Sequence, residues 1–205
     1  MVTAIVLAAG KSERMGQNKL LLPFGSKRVI EHTVDQLVAS IVDAIVVVLG
    51  SKATEIKEII GLRPVKTVYN PDYANGMSTS LSIGLQAISG GVSHVLVVLG
   101  DQPLVRSNTY DLLITKAQTN NKGLFVPTFQ GKRGNPIVIA SKFFNEVLRQ
   151  SGDIGGRELL INKADEVMEV PVDDMGVLIN INTDDEYQKR LRQLAYSEGR
   201  NDKKG

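Results

Sequence analysis

The sequence predicts an α/β fold in which helices cover both faces of a mostly parallel, mixed β-sheet. Three apolar runs are rich in Val, Ile and Leu, do not alternate with polar residues, and are each followed by glycine: Thr3–Ala9, Ala44–Leu49 and His94–Leu99. Such runs are typical of strands that are buried on both faces of a parallel sheet. Segments with helical spacing lie between them, and this alternation predicts a three-layer architecture.

The remaining elements follow from weaker patterns. Further strands fit Pro64–Tyr69, Gly123–Pro127, Asn135–Ala140, Val167–Val170 and Val177–Ile181. Apolar residues recur at helical spacing at Ile30, Val34, Leu37, Val38 and Ile41, and again at Leu81, Leu85 and Ile88. Other helices fit Thr54–Ile60, Asn108–Gln118, Phe143–Arg149, Arg157–Asn162 and Asp184–Ala195. We expect a single domain over residues 1–196 and a polar, disordered tail over residues 197–205.

Composition excludes several classes of site. Lys plus Arg number 24 and Asp plus Glu number 22, and a net charge of +2 gives no reason to expect nucleic acid or an acidic membrane as partner. The chain has no cysteine, which excludes disulfides, thiolate metal sites and cysteine nucleophiles. The apolar N-terminus lacks the basic residues of a signal peptide, and no stretch reaches the roughly 18 apolar residues of a membrane helix. We therefore expect a cytoplasmic protein.

The loop after the first strand contains the strongest candidate binding site. It reads LAAGKSERMGQNK over residues 7–19 and combines small residues with three cations, Lys11, Arg14 and Lys19. Ligands of open α/β sheets bind at the carboxyl ends of the strands. Backbone N–H groups and cations clustered at such a place predict an anion site for a polyphosphate, whereas a solvated basic turn is the alternative interpretation.

Two common phosphate-binding motifs do not fit this loop. The Walker A motif, G-x-x-x-x-G-K-[ST], requires its second glycine where Met15 stands. The dinucleotide-binding motif, G-x-G-x-x-G, requires a glycine where Ser12 stands. The loop therefore belongs to neither class.

The pattern L-A-A-G-x-S-x-R-M-G-x-x-K resembles the signature of the molybdenum cofactor nucleotidyltransferases, within the wider group that includes the nucleotide-sugar pyrophosphorylases. Further motifs occur in family order along nearly the whole chain: VVLGDQP, NPDYANGMSTSLSIGL, RGNP, GDIGGR and INTDDEY. The resemblance implies a Rossmann-like fold of the nucleotide-diphospho-sugar transferase type. It also implies nucleotidyl transfer to molybdopterin, and a transient contact with a recipient molybdoenzyme or its maturation factor.

Asp101, which follows the run His94–Leu99, is the predicted metal ligand. Mg²⁺ takes one or two protein carboxylates and keeps several waters, and Mn²⁺ is a possible substitute. An Asx turn or a helix cap is the structural alternative for Asp101. The resemblance implies a second oxygen ligand from the segment Asn180–Asp184, where Asn182 matches, while Asp184 is an alternative cap of the last helix.

The resemblance also assigns the contacts to nucleobase and acceptor. The three hydroxyls of Ser78, Thr79 and Ser80 exceed what one helix cap requires, and the resemblance places this segment beside the base. The predicted nucleotide-binding residues are Leu7, Ala8, Ala9, Gly10, Lys11, Ser12, Arg14, Lys19, Gly76, Ser78 and Ser80. The predicted acceptor-binding residues are Gln102, Pro103, Gly134, Asn135, Pro136, Asp153 and Arg157, although turns or a surface salt bridge explain several of them equally well.

The implied reaction is attack by the terminal phosphate of molybdopterin on the α-phosphorus of a nucleotide, with release of pyrophosphate. A phosphate nucleophile is already anionic near neutral pH, so the reaction requires alignment and charge neutralisation rather than a general base. The catalytic roles then fall to Lys19 at the α-phosphate, Arg14 at the β- and γ-phosphates, and Asp101 as the carboxylate that holds Mg²⁺.

Residue types in two segments disagree about the nucleotide, and on balance they favour CTP. By resemblance, Ala8, Ala9, Gly10 and the GDQP motif match cytidylyltransferases, whereas Asn180 and Asn182 match guanylyltransferases. The methyl group of Ala9 narrows the space near the base, which suits a pyrimidine. The alternatives are GTP with the same acceptor, a sugar- or polyol-phosphate nucleotidyltransferase, and a non-catalytic carrier or chaperone of the molybdenum cofactor.

Overall fold

In the computed structural model, eight strands of the described residues form one sheet that is flanked by helices. The structure describes residues 1–12, 16–149 and 157–201, and it gives the backbone alone for residue 157 and residues 193–201. The strands are β1 (Val2–Ala8), β2 (Pro23–Phe24), β3 (Lys27–Arg28), β4 (Ala44–Leu49), β5 (Lys66–Tyr69), β6 (His94–Leu99), β7 (Leu124–Phe129), β8 (Lys132–Arg133), β9 (Ile137–Ala140) and β10 (Val167–Pro171). The α-helices are α1 (Val29–Val38), α2 (Ala53–Ile60), α3 (Met77–Gln86), α4 (Ser107–Thr119), α5 (Phe144–Val147), α6 (Arg157–Asn162) and α7 (Asp184–Asn201). Short 3₁₀ helices occupy Lys19–Leu21, Tyr73–Asn75, Ser141–Phe143, Ala164–Glu166 and Met175–Leu178.

The predicted mostly parallel, mixed sheet is confirmed. Its order is β10-β7-β9-β6-β1-β4-β5, with β8 paired to β7, while β2 and β3 form a separate two-stranded ribbon. The pairs β1/β4, β1/β6, β4/β5 and β7/β10 are parallel. Strand β9 runs antiparallel to both β6 and β7. Two of the predicted strands, Ala44–Leu49 and His94–Leu99, have the predicted bounds.

The side chains of β1 divide between two cores, one on each face of the sheet. Ala4, Val6 and Ala8 belong to a core that includes residues of α1, α2 and α4. Ile5 belongs to the opposite core, with residues of α3, α5 and α6. Successive strand residues point to opposite faces, so an unbroken apolar run such as β1 requires helices on both sides. The predicted three layers are therefore present.

The strand order creates an opening beside β1. From β1 the chain proceeds through α1 to β4 and then to β5 on one side, and it returns through α3 to β6 on the other side. The connections that leave the carboxyl ends of β1 and β6 thus diverge. A reversal of this kind produces a crevice at the carboxyl ends of the two central strands, which is where open α/β sheets bind ligands.

One predicted strand, Val177–Ile181, is wrong. The structure has a 3₁₀ helix at Met175–Leu178 and an extended segment without strand pairing after it. The Val177 carbonyl accepts from the Asn135 N–H at 2.9 Å, and the Ile181 N–H donates to the Asp101 carbonyl at 3.1 Å. Both of these backbone hydrogen bonds go to loop residues. The buried apolar residues that suggested a strand therefore pack against loops.

The last helix is longer than predicted. Helix α7 extends to Asn201, beyond the predicted end at Ala195, and residues 202–205 lie outside the described part. No proline interrupts residues 184–201, and Glu and Arg have good helix propensity, which explains why the helix continues beyond Ala195. Among the described helices, none combines the length and apolar character needed to cross a membrane.

Candidate functional site

A cleft of about 490 Å³ opens at the carboxyl ends of β1 and β6. Four parts of the chain form its walls: the loop after β1, the start of α3 with the 3₁₀ helix before it, the end of β6, and the segment before α7. The lining residues are Leu7, Ala9, Gly10, Lys11, Ser12, Lys19, Leu20, Tyr73, Ala74, Gly76, Met77, Ser80, Leu99, Asp101, Asn180 and Asn182. The cleft therefore lies where the strand order reverses.

Close backbone packing shapes one wall of the cleft. The Ala9 carbonyl accepts from the Ser51 N–H at 3.0 Å. A Cβ atom added to Gly50 would lie 2.7 Å from the Ala9 carbonyl oxygen and 2.7 Å from Cβ of Tyr73. Because Gly50 has no side chain, the loop after β1 and the tyrosine approach each other closely. The Lys11 ammonium lies 5.9 Å from the centroid of the Tyr73 ring, within the range of a cation–π contact.

The two described ends of the loop after β1 are tied together by hydrogen bonds. The Lys19 N–H donates to Oγ of Ser12 at 3.2 Å. Asn18 is buried; its Oδ1 accepts from the Leu20 N–H at 3.0 Å and caps the 3₁₀ helix, while its Nδ2 contacts the Gly10 carbonyl at 3.4 Å. Lys19 is consequently held at the start of a short helix, beside the small residues predicted to approach phosphate.

Lys19 and Asp101, which were predicted to act together, are in direct contact. The Lys19 ammonium donates to the Asp101 carboxylate and, at 2.9 Å, to Oδ1 of Asn182. The Lys19 and Asp101 side chains are 20% and 10% exposed, so solvent screens this pair only partly. Two oxygens that contact one ammonium converge on one point. Carboxylate and amide oxygens in such an arrangement suit a small, hard cation.

Asn182 is held in place by the start of α7. Its backbone N–H donates to Oε2 of Glu186 at 2.9 Å, and Oγ1 of Thr183 accepts from the Glu186 N–H at 3.2 Å. Thr183 therefore provides a side-chain cap of α7, a role that the sequence had suggested for Asp184. In the described part of the chain, no group of three or more acidic or histidine side chains lies close enough together to hold a metal.

Two of the predicted hydroxyl residues differ in position. Ser80 is buried yet lines the cleft, and its Oγ accepts from Nδ2 of Asn70 at 2.9 Å. Ser78 is buried and is not among the lining residues, and its Oγ has no hydrogen-bond partner among the described residues. Ala8, another predicted contact, is likewise buried in the core rather than exposed to the cleft.

Most of the residues predicted to bind the acceptor do not line the cleft. Gln102 is 1% exposed, and its Nε2 donates to Oδ1 of Asn180 at 2.7 Å and to the Val177 carbonyl at 3.3 Å. A Cβ atom on Gly134 would lie 2.4 Å from that same carbonyl oxygen. Five of the predicted acceptor residues are not among the lining residues: Gln102, Pro103, Gly134, Asn135 and Pro136. Gln102, Gly134 and Asn135 instead contact Val177 or Asn180, in the segment that leads to Asn182.

Some expectations fall outside what the structure describes. Arg14 and Asp153 lie outside the described residues, as does the side chain of Arg157. Sequence reasoning gave no role at the site to several lining residues: Leu20, Tyr73, Ala74 and Leu99. The aromatic ring of Tyr73 within the motif NPDYANG was the available signal, whereas the leucines carried none that distinguishes them from core residues.

Curated proteins of several named activities are similar to this chain along most of its length. Molybdenum cofactor cytidylyltransferase of Escherichia coli K12 is 24% identical over 91% of this chain and 93% of its own length. Nicotine blue oxidoreductase of Paenarthrobacter nicotinovorans is 31% identical over 79% of this chain and 82% of its own. A probable molybdenum cofactor guanylyltransferase of Pyrococcus horikoshii is 29% identical over 82% of both chains.

Solved structures share the same architecture. A nucleotidyl transferase from Methanothermobacter thermautotrophicus superimposes with a TM-score of 0.83 at 25% identity, covering 96% of this chain and 99% of that chain. The manganese complex of Rv0371c from Mycobacterium tuberculosis gives a TM-score of 0.81 at 27% identity, covering 93% and 98%. A family model described as the MobA-like NTP transferase domain matches residues 4–167, and the chain belongs to this family of nucleotidyltransferases.

Proposed function

We infer that this nucleotidyltransferase moves the CMP group of CTP to the terminal phosphate of molybdopterin and releases pyrophosphate. An acceptor phosphate oxygen forms a bond to the α-phosphorus while the bond to the bridging oxygen of the β-phosphate breaks. The observation that carries this proposal is the convergence of Lys19, Asp101 and Asn182 in a cleft walled by small residues. The similarity to a cytidylyltransferase over 91% of the chain supports it.

The cleft residues supply positive charge and hard oxygen ligands, which phosphoryl chemistry requires. Lys19 neutralises the α-phosphate, and Lys11 attracts the anionic chain at the cleft entrance, where it is exposed. Asp101 and Asn182 are the residues that would hold Mg²⁺, with Mn²⁺ as an alternative. A divalent cation bound there would neutralise charge on the phosphates. That a structural neighbour is a manganese complex is consistent with this assignment.

On the acceptor side, Asn180 is positioned to donate hydrogen bonds into the cleft. Its Oδ1 accepts from the buried amide of Gln102, so its own amide protons point elsewhere. Asn180 lines the cleft next to Asn182. We assign Asn180 as a donor to the acceptor phosphate, with Gln102 as the residue that orients it.

The identity of the nucleobase is the most specific part of the proposal. Ala9 lines the cleft with a methyl group, which favours the smaller pyrimidine base. GTP is the second candidate, because Asn180 and Asn182 both line the cleft and match the guanylyltransferase pattern. One relative carries that activity in its name.

Two measurements separate these possibilities. In a thermal-shift comparison of CTP, GTP, ATP and UTP with Mg²⁺, we expect CTP to raise the melting temperature most, since a ligand that binds the folded state stabilises it. In a turnover assay with CTP, Mg²⁺ and molybdopterin, we expect pyrophosphate release that requires all three. Stabilisation by GTP alone would overturn the cytidylyl assignment. Binding without pyrophosphate release would indicate a carrier, or a redox chemistry like the oxidoreductase activity in the name of one relative.

A further inference from the structure

Asn70, the residue that follows β5, is fully buried, and its backbone N–H and both polar atoms of its side chain are hydrogen-bonded. Its backbone N–H donates to the Leu49 carbonyl at 2.8 Å. Its side-chain Oδ1 accepts from the Asp72 N–H at 2.9 Å, and its Nδ2 donates to Oγ1 of Thr79 and to Oγ of Ser80, both at 2.9 Å. One amide therefore ties the end of β5 to the first turn of α3.

The direction of these hydrogen bonds has a chemical consequence. An amide nitrogen can only donate, so both hydroxyl oxygens act as acceptors toward Asn70. Thr79 directs its own proton to backbone carbonyls, at 2.8 Å from that of Gly76. The Ser80 proton is directed away from Asn70, and Ser80 lines the cleft while it is only 4% exposed. Among the described residues no acceptor contacts the Ser80 hydroxyl proton, so this proton remains available to a ligand in the cleft.

We propose that Asn70 is a positioning residue for base recognition, because it fixes the Ser80 hydroxyl as a donor toward an acceptor atom of the nucleobase. This proposal rests on the proposed function, which places a nucleoside triphosphate in the cleft. The acceptor atom is a ring carbonyl oxygen or an unprotonated ring nitrogen, both of which cytosine offers on one edge. A hydroxyl held in one orientation selects for such atoms, because a base donor placed there would be left unpaired.

Asn70→Asp tests the direction of the hydrogen bond. The side chain keeps its shape, but a carboxylate only accepts, so the Ser80 proton turns toward it and lone pairs face the cleft. Affinities for CTP and for inorganic tripolyphosphate are measured by calorimetry with Mg²⁺, and the readout is their ratio. We expect this ratio to fall about tenfold, since a lost hydrogen bond to a base costs on that order. Ser80→Ala has the same effect, and the double variant loses no more than either single one.

The ratio separates base recognition from charge and from folding. Asn75→Asp, at an exposed position on the neighbouring 3₁₀ helix, adds the same charge; we expect it to weaken both ligands equally and leave the ratio unchanged. If Asn70→Asp does not fold, Asn70→Ser, whose shorter side chain cannot reach both hydroxyls, is measured in the same way.

Several results would overturn the proposal. One such result is an unchanged ratio of CTP affinity to tripolyphosphate affinity in Asn70→Asp, including the case in which both affinities fall equally. Another is an unchanged ratio in Ser80→Ala. Each would show a purely structural role. If wild type prefers GTP, only the cytidylyl assignment fails, and the same variants are judged on the GTP-to-tripolyphosphate ratio. A wild-type protein that binds no nucleoside triphosphate more tightly than tripolyphosphate would overturn both.

Discussion

Two ion-pair clusters, one around Lys19 and one around Arg63, contain equally exposed cations. They differ in how many of the cation's N–H donors are already used. The side chains of Lys19 and Arg63 are each 20% exposed. Arg63, after α2, uses all five of its N–H groups: two on Asp35, one on Glu31, and two on the backbone carbonyls of Ile59 and Ile60. Lys19 contacts two side-chain oxygens at the wall of a cleft.

The difference distinguishes a saturated structural ion cluster from the candidate functional one. The two cations carry the same charge and are equally exposed. The Arg63 cluster joins α1 to the end of α2 and has no remaining donor for a ligand. The Lys19 cluster gathers residues from three distant parts of the chain around an open volume. We therefore expect changes at Lys19 to affect activity and changes at Arg63 to affect stability.

The largest effect is expected when the Lys19–Asp101 pair is broken. Lys19→Met removes the cation that we propose for the α-phosphate, and Asp101→Asn removes the carboxylate that we propose for the metal. Each variant should lose on the order of 10²–10³ in kcat, because preorganised charge stabilises the transition state. Pyrophosphate release measures the loss, and circular dichroism checks the fold. Arg63→Met is the matched control and should turn over like wild type; near-normal rates in both cleft variants would break the comparison.

The second effect concerns stability. Arg63→Met leaves the partly buried carboxylates of Asp35 and Glu31 without their partner and two carbonyls without their donor. We expect the free energy of unfolding to fall by about 1–3 kcal/mol, measured by urea denaturation. Lys52→Met, which removes an exposed cation paired with Glu55, should leave the midpoint unchanged. An Arg63→Met variant as stable as wild type would mean that this cluster contributes nothing measurable.

Acid should remove much of the difference in unfolding free energy between wild type and Arg63→Met. Burial alone would raise the pKa of Asp35, but hydrogen bonds from Arg63 and Lys27 outweigh it and hold this pKa below its ordinary value. A carboxyl with a lowered pKa in the folded state contributes stability that is present above its unfolded pKa and is lost as the pH falls through the folded pKa. The gap between wild type and Arg63→Met should therefore shrink below about pH 4. Urea titrations across this range measure it, and a constant gap would contradict this assignment.

Sequence patterns anticipated the parts of the site that depend on local chemistry. The apolar runs located the three central strands, and small residues next to cations located the loop Gly10–Lys19. The place of Asp101 after a buried strand allowed a metal ligand or a turn, and the family resemblance favoured the metal ligand. The contact between Gln102 and Asn180 spans 78 positions in the chain, and that between Asn70 and Ser80 depends on how β5 meets α3. Such contacts depend on tertiary packing, which the periodicity and spacing of residues in the sequence do not predict.

The strand prediction at Val177–Ile181 failed for a related reason. Alternating burial is the usual signal of a strand, and Val177, Ile179 and Ile181 are indeed buried. The segment packs against the loops that follow β6 and β8, where it meets Asp101 and Asn135. The alternating buried residues thus belong to a segment that packs against the loops around the candidate site.

The structure of the complex with CTP and Mn²⁺ tests the central claim most directly. We predict that the triphosphate lies along Gly10–Lys19 with Nζ of Lys19 within hydrogen-bonding distance of an α-phosphate oxygen. Mn²⁺ is expected on the carboxylate of Asp101, and the cytosine beside Ser80. A nucleotide bound outside this cleft, or a metal ion away from Asp101, would contradict the account.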